Sequence, residues 1–121
     1  MFNINCGDAM AVEVASGNCM YVIDETSGQN SGWRCTGPNA NSSTAECIVE
    51  APTIGSSVAN LSNYGTETLS ACQVEVNAGS NQGIGNVPHD YYNMYNGSTL
   101  LSSTGPISNG DTYTMTWHNY S

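Results

Sequence analysis

The sequence predicts an α+β fold, a single-domain sandwich in which helices pack on a mostly antiparallel sheet, with an all-β sandwich as the alternative. Segments of alternating apolar residues, typical of strands, are interspersed with segments of helical apolar spacing, and the connections between them are short. The length of 121 residues suits one domain, so residues 1–121 are expected to form a single secreted domain. The all-β alternative stays open because the chain is rich in Ser, Thr and Gly.

Short strands are predicted in the first third of the chain. Residues 9–14 either alternate as a strand or form one helical turn capped by Asp8. Residues 20–23 form a strand that ends at the turn-forming run 24–32, and residues 32–35 form another short strand.

The strongest helix signal covers residues 53–64. Ile54, Val58 and Leu61 stand at i, i+4 and i+7, which would place them on one helical face. Thr53 is suited to cap the start of this helix, and Gly65 is suited to end it. Just before it, residues 46–50 read as a strand that Pro52 stops.

The last half of the chain alternates again. Residues 69–76 are the best strand, with Cys72, Val74 and Val76 facing one way and the polar Gln73 and Glu75 facing the other. Residues 88–95 are expected to form a short helix with Pro88 in its first turn. Residues 111–120 close the chain as a strand, with Tyr113, Met115 and Trp117 on one face.

The charge balance excludes several partners. One Arg, Arg34, and no Lys stand against 10 acidic residues, for a formal net charge of −9. Such a surface repels phosphate backbones and anionic lipids, so neither nucleic acid nor membrane insertion is expected. The acidity suits solubility in an acidic extracellular medium, and polarity is supplied mostly by neutral residues, since Asn and Ser each occur 15 times.

The cysteines indicate an oxidising compartment. The chain has 5 cysteines, so two disulfides and one leftover thiol are expected. The spacing of the cysteines leaves every pairing open. The leftover thiol is either inert or joins two chains as a homodimer. Four Asn-X-Ser/Thr sequons, at Asn41, Asn60, Asn96 and Asn119, also favour secretion as a glycoprotein. The five disulfide candidates are Cys6, Cys19, Cys35, Cys47 and Cys72.

No cofactor or metal site is expected. Histidine is scarce and no CxxC pair occurs, which disfavours zinc, and the acidic run 24–30 lacks the ligand spacing of a calcium-binding EF-hand. The sequence also has no Ser-His-Asp order and no P-loop.

The densest candidate site is residues 87–97, where tyrosines and amides cluster. Tyrosine faces stack on the C–H faces of sugars while Asn and Asp hydrogen-bond hydroxyl groups, so this stretch predicts glycan binding. Tyr91, Met94 and Tyr95 are spaced as the core face of a helix, which leaves their neighbours facing solvent. The expected ligand-binding residues are Asp90, Tyr92, Asn93, Asn96, His89 and Trp33.

Pro88, His89, Tyr91 and Asn93 match a Pro-His-x-Tyr-x-Asn stretch. The stretch resembles the surroundings of a catalytic histidine in secreted fungal guanine-specific ribonucleases. The resemblance implies a ribonuclease-like hydrolase, yet no Glu follows Glu75 to act as that family's base, and Arg34 lies far upstream. Phosphoryl transfer needs cations at the developing oxyanions, so this function ranks last.

Three further segments, residues 4–6, 71–74 and 109–116, resemble small fungal secreted proteins of the lectin-like and killer-toxin-like kind. The resemblance implies an α/β sandwich and a non-enzymatic extracellular role. The leading hypothesis is therefore a secreted, non-catalytic, lectin-like protein with a defence role. A toxin or effector acting on a protein target is the first alternative, and the ribonuclease-like hydrolase is the second.

Overall fold

The computed structural model describes residues 2–37 and 43–120. The chain forms two compact units, Met1–Ala45 and Glu46–Ser121. In the described ranges all regular structure is antiparallel β-sheet, apart from one 3₁₀ turn at Ile84–Asn86. The α+β prediction is therefore wrong, and the all-β alternative is confirmed. No helix in this part of the chain has the length and apolar character needed to cross a membrane.

The unit Met1–Ala45 contains one sheet of three strands, β1 (Met10–Ala15), β2 (Cys19–Asp24) and β3 (Arg34–Cys35), in that order. The helical-turn alternative for residues 9–14 is wrong, because β1 pairs with β2 along its whole length. The connection between β1 and β2 is tight, since Gly17 and Asn18 both adopt positive φ, at 82° and 51°. A disulfide joins Cys19 to Cys35, which are also register partners of β2 and β3.

A buried carboxylate organises the turn that follows β2. Asp24 is fully buried, and its Oδ1 accepts hydrogen bonds from the amides of Thr26 (2.8 Å) and Ser27 (3.1 Å). The Ser27 hydroxyl donates to Asp24 Oδ2 at 2.5 Å. These hydrogen bonds, led by the Ser27 hydroxyl, lower the pKa of Asp24 although burial acts to raise it.

The unit Glu46–Ser121 is built on a sheet of four strands in the order β6-β11-β10-β9. Two smaller ladders lie beside it, β4 with β5 and β7 with β8. The strands of this unit are β4 (Thr53–Ile54), β5 (Ser57–Val58), β6 (Thr66–Leu69), β7 (Gln73–Glu75), β8 (Asn81–Gly83), β9 (Met94–Asn96), β10 (Thr99–Thr104) and β11 (Tyr113–Trp117).

The predicted helix over residues 53–64 is wrong. β4 and β5 form a hairpin closed by Gly55 and Ser56, with Ile54 paired to Ser57. Gly55 adopts a φ of 64°, which two-residue hairpin turns require and helices do not. Ile54 and Val58 are 70% and 61% exposed, so the apolar spacing that suggested a helical face buries neither residue.

The predicted strand over residues 69–76 is broken into β6 and β7. Ala71 adopts a φ of 52° and turns the chain between the two strands. The predicted alternation nevertheless holds, since Cys72 is buried and Val74 is half-buried while Gln73 and Glu75 are exposed.

The predicted helix over residues 88–95 is also wrong. Its end forms β9, which pairs with β10 through a hairpin whose loop begins at Gly97. The Asn96-Gly97 dipeptide is the local signal for such a turn. Tyr91 and Tyr95 are more than half exposed, and Met94 alone of the expected core trio packs on a buried cluster.

The apolar core of this unit consists of two clusters. Ala51, Leu61 and Leu101 form the first, and Cys72, Tyr113 and Met115 form the second. Val49 and Tyr64 pack against both. The prediction that Tyr113 and Met115 share the inner face of the last strand is confirmed.

Candidate active site

The segment 46–50, which we call the glutamate segment, pairs with no neighbouring strand as a regular ladder. Its side chains alternate: Glu46, Ile48 and Glu50 are exposed, and Cys47 and Val49 are half-buried. The strand predicted here therefore forms no ladder, although the alternation of exposed and half-buried side chains is present. Both carboxylates point away from the core on the same face.

The inner side of the glutamate segment is anchored to the sheet. Val49 packs against both apolar clusters, and the Tyr113 hydroxyl donates a hydrogen bond to the Cys47 carbonyl. Burial raises the pKa of Tyr113 well above its ordinary value of 10.0, so its hydroxyl remains a donor at neutral pH. The backbone that carries Glu50 is therefore fixed by both packing and a hydrogen bond.

A cavity of about 270 Å³ lies beside Glu50. This volume is just below the usual range of small-molecule sites, which begins at about 300 Å³. Apolar groups from Val49, Ala51 and Leu61 form part of its wall. The polar side chains on the wall are those of Glu50, Asn60, Ser62 and Tyr64.

The wall opposite the glutamate segment is held by hydrogen bonds. The Tyr64 hydroxyl lies 2.5 Å from Ser102 Oγ, and Ser102 is fully buried. The Trp117 indole donates to the Leu61 carbonyl at 3.3 Å. The amide of Ala59 bonds the Pro52 carbonyl at 2.9 Å, which brings residues 59–64 back onto the glutamate segment.

The cavity is suited to proton transfer. None of its lining residues is cationic, so no positive side chain in the wall neutralises the Glu50 carboxylate. A solvent-accessible carboxylate beside an apolar wall can accept a proton from water and later return it. No cluster of metal-ligating side chains occurs in the described residues.

The residues predicted from the sequence lie elsewhere. His89 Nδ1 contacts the Val87 carbonyl at 2.8 Å, and its ring meets the Tyr91 ring edge-on at 5.3 Å. Asn93 Oδ1 accepts the Thr104 amide at 2.9 Å, so this side chain attaches the loop to β10. None of the six expected ligand-binding residues lines the cavity.

The remaining predicted residues are solvent-facing. Tyr92 is 73% exposed, and its carbonyl accepts a hydrogen bond from the Thr104 hydroxyl at 2.5 Å. Asp90 is exposed, and Asn96 is an exposed residue at the end of β9. Trp33 belongs to the other unit, where its ring lies 5.5 Å from that of Tyr21. A ligand-binding role for these six residues stays a prediction.

The cysteines and sequons are placed as follows. Cys19 and Cys35 are bonded, while Cys6, Cys47 and Cys72 are free, so one of the two expected disulfides is present. Asn60 lies in the cavity wall and Asn96 in β9. Asn41, with Ser42, and Ser121 of the last sequon lie outside the described residues. Glycosylation of the sequons stays a prediction.

The sequence carries a local signal for Glu50. The pattern of residues 46–50 predicts a strand stopped by Pro52, and its two glutamates alternate with apolar residues. The alternation shows that the carboxylates share a face, but the cavity beside them is formed by residues 59–64. No sequence pattern indicates that Asn60, Ser62 and Tyr64 line a cavity, because the apolar spacing predicts a helix over this region.

Two comparisons relate this chain to known proteins. The model of the peptidase A4 family matches residues 1–117. The crystal structure of aspergilloglutamic peptidase from Aspergillus niger matches with a TM-score of 0.78 and 23% sequence identity. That alignment covers 97% of this chain and 70% of the other. No curated protein sequence matches this chain significantly.

These findings correct the functional predictions. A match to a peptidase family over nearly the whole chain contradicts the lectin-like and killer-toxin-like resemblance. It also contradicts a non-catalytic, lectin-like protein with a defence role, and it gives no support to a toxin or effector function. The ribonuclease-like alternative is wrong as well, since the match is to peptidases. The expected partner changes from glycans to protein substrates.

Proposed function

Because this chain belongs to the peptidase A4 family, we propose that it is a peptidase whose catalytic group is the Glu50 carboxylate. The observation that carries the proposal is the position of Glu50 on the wall of the cavity. Among the glutamates in the described residues, Glu50 is the one that lines it. The solved structure with the similar fold is that of a glutamic peptidase, which is consistent with a carboxylate of this residue type.

The proposed step is hydrolysis with Glu50 as general base. The Glu50 carboxylate takes a proton from water, and the water oxygen bonds to the carbonyl carbon of the scissile peptide. As the tetrahedral intermediate collapses, the C–N bond breaks and Glu50 returns the proton to the leaving nitrogen. One proton is taken and one is returned, so Glu50 ends the cycle as a carboxylate.

Neutral donors in the wall suit this chemistry. Asn60 and Ser62 line the same cavity and carry an amide and a hydroxyl group. Such groups stabilise the negative charge that develops on the carbonyl oxygen when they are held in place beforehand. Their backbone is held by the Trp117–Leu61 and Ala59–Pro52 hydrogen bonds.

The substrate is proposed to be a peptide with an apolar side chain next to the scissile bond. Val49, Ala51 and Leu61 offer an apolar surface to such a side chain, and the cavity has room for about one large residue. The chain's acidity disfavours strongly acidic peptides, since like charges repel.

The protein is further proposed to act as a single secreted domain. The Cys19–Cys35 disulfide is compatible with secretion, because disulfides persist in oxidising compartments. The low content of basic residues also suits an acidic medium.

The test is cleavage of unfolded protein and of a fluorogenic peptide library across a range of pH, with matched variants. Glu50→Gln keeps the size of the side chain and removes the base, so we expect activity to fall by about 10²–10⁴-fold. Glu46→Gln removes a carboxylate from the same face outside the cavity, and this variant is expected to retain most activity.

Two outcomes would contradict the proposal at different levels. A wild-type chain that cleaves nothing at any pH would remove the peptidase function. Activity that survives in Glu50→Gln and disappears in Glu46→Gln would move the catalytic role to Glu46.

A further inference from the structure

Two cysteines from distant parts of the sequence meet in the core of the unit Glu46–Ser121. Cys47 belongs to the glutamate segment, and Cys72 immediately precedes β7. Cys72 is part of the second apolar cluster, and Cys47 packs against that cluster. The Cys72 side chain also acts on the Cys47 thiol, since after burial it is the next cause of that thiol's raised pKa, so the two side chains are neighbours.

Hydrogen bonds hold the backbone of both cysteines in place. The Cys72 amide donates to the Asp111 carbonyl at 2.9 Å, and the Cys72 carbonyl accepts from the Ile84 amide at 2.9 Å. Tyr113 donates to the Cys47 carbonyl. The backbone at both cysteines is therefore held where their side chains pack on the same apolar cluster.

We propose that Cys47 and Cys72 form a second disulfide under oxidising conditions, leaving exposed Cys6 as the one free thiol. The two thiols lose two protons and two electrons as the S–S bond forms. A small disulfide such as oxidised glutathione accepts them and is released as two molecules of the reduced thiol. This inference is independent of the peptidase function, since neither cysteine lines the cavity.

The chemistry of the pair also predicts how the bond forms. Burial, with the contact to Cys72, raises the pKa of the Cys47 thiol to about 12. The thiolate is the reactive species, so oxidation of the folded protein is expected to be slow at neutral pH and faster as the pH rises. Oxidation during folding, before the cluster closes, avoids this barrier.

Peptide mapping can test the pairing directly. Cleavage after glutamate places Cys47 in peptide 47–50 and Cys72 in peptide 68–75, while Cys6 falls in peptide 1–13. Cys19 and Cys35 fall in peptides 14–25 and 26–46. The chain is refolded with reduced and oxidised glutathione, alkylated under denaturing conditions, digested and analysed by mass spectrometry.

The expected result is a linked pair of peptides 47–50 and 68–75, with alkyl label on Cys6 alone. Cys72→Ser should leave Cys47 labelled, and Cys6→Ser, the matched control, should leave the pair intact. Complete labelling of both Cys47 and Cys72 after oxidation, or linkage of either to Cys6, would overturn the proposal. The mapping of the wild-type chain decides the question even if a variant fails to fold.

Discussion

The two units of this chain bury different kinds of side chain. In Met1–Ala45 the fully buried side chain is a carboxylate, Asp24, and a disulfide joins two of the three strands. In Glu46–Ser121 the buried side chains are mostly apolar and form two clusters. Val12 and Val14 on β1 are exposed, although residues of this type in a strand are commonly buried.

This difference shows how small β-units are stabilised when apolar residues are few. The described residues of Met1–Ala45 form no buried apolar cluster, and their short sheet is stabilised by a covalent cross-link and by hydrogen bonds to one carboxylate. The second unit has enough apolar side chains to form a core that fixes the wall of the cavity. A catalytic carboxylate requires such a rigid support. The proposed active site therefore lies in the unit that has an apolar core.

The largest expected change in stability comes from the core of the second unit. Leu101→Ala removes a buried side chain of the first cluster and should lower the free energy of unfolding by about 2–5 kcal/mol. Val14→Ala, at a side chain that is 75% exposed, is the matched control and should change it by less than about 0.5 kcal/mol. Chemical denaturation followed by tryptophan fluorescence measures both. Equal decreases in the free energy of unfolding for Leu101→Ala and Val14→Ala would contradict the difference in apolar burial between the two units.

A second effect, below the upper end of that range and confined to the first unit, is expected from its disulfide. Replacing Cys19 and Cys35 with Ser opens a loop with a sequence separation of 16, which should cost about 3 kcal/mol. Hydrogen exchange should then accelerate in β1 and β2 while the amides of β10 and β11 keep their protection. Uniform acceleration in both sheets would contradict the separate stabilisation of the two units.

The smallest expected effect is the pH dependence of the stability of the turn after β2. The pKa of Asp24 in the folded chain lies below its ordinary value of 3.8, so the folded state binds this proton less readily than the unfolded state. The stability that Asp24 supplies is therefore present above pH 3.8 and is lost as the pH falls through the folded pKa. Hydrogen exchange of the turn after β2, measured against pH, should show this loss in the wild type. In Asp24→Asn the turn should be weakened at neutral pH and should lack this acid transition.

Local patterns predicted the strands well where alternation was clear. Residues 20–23 form the middle of β2, and Tyr113 and Met115 face inward from β11, as expected. Cys72 and Val74 share the inner side in spite of the break at Ala71. Alternation depends only on the extended backbone geometry, so it is readable from a few residues.

The two helix predictions were wrong because three apolar residues at helical spacing are weak evidence for a helix. Ile54 and Val58 matched a helical face, but Gly55 between them suits a hairpin turn equally well. In the predicted helix over residues 88–95, the helical spacing of Tyr91, Met94 and Tyr95 conflicts with the turn signal of Asn96-Gly97 that follows it. The structure follows the turn signal.

The sequence by itself determined the acidic surface, the alternation of the main strands and the common face of Glu46 and Glu50, because charge and strand periodicity are properties of neighbouring residues. Only the tertiary structure decided which of these two carboxylates lies beside a cavity, and which cysteines meet. Both depend on residues 59–72 returning to the glutamate segment, and a contact across such a sequence separation is set by the packing of the whole unit.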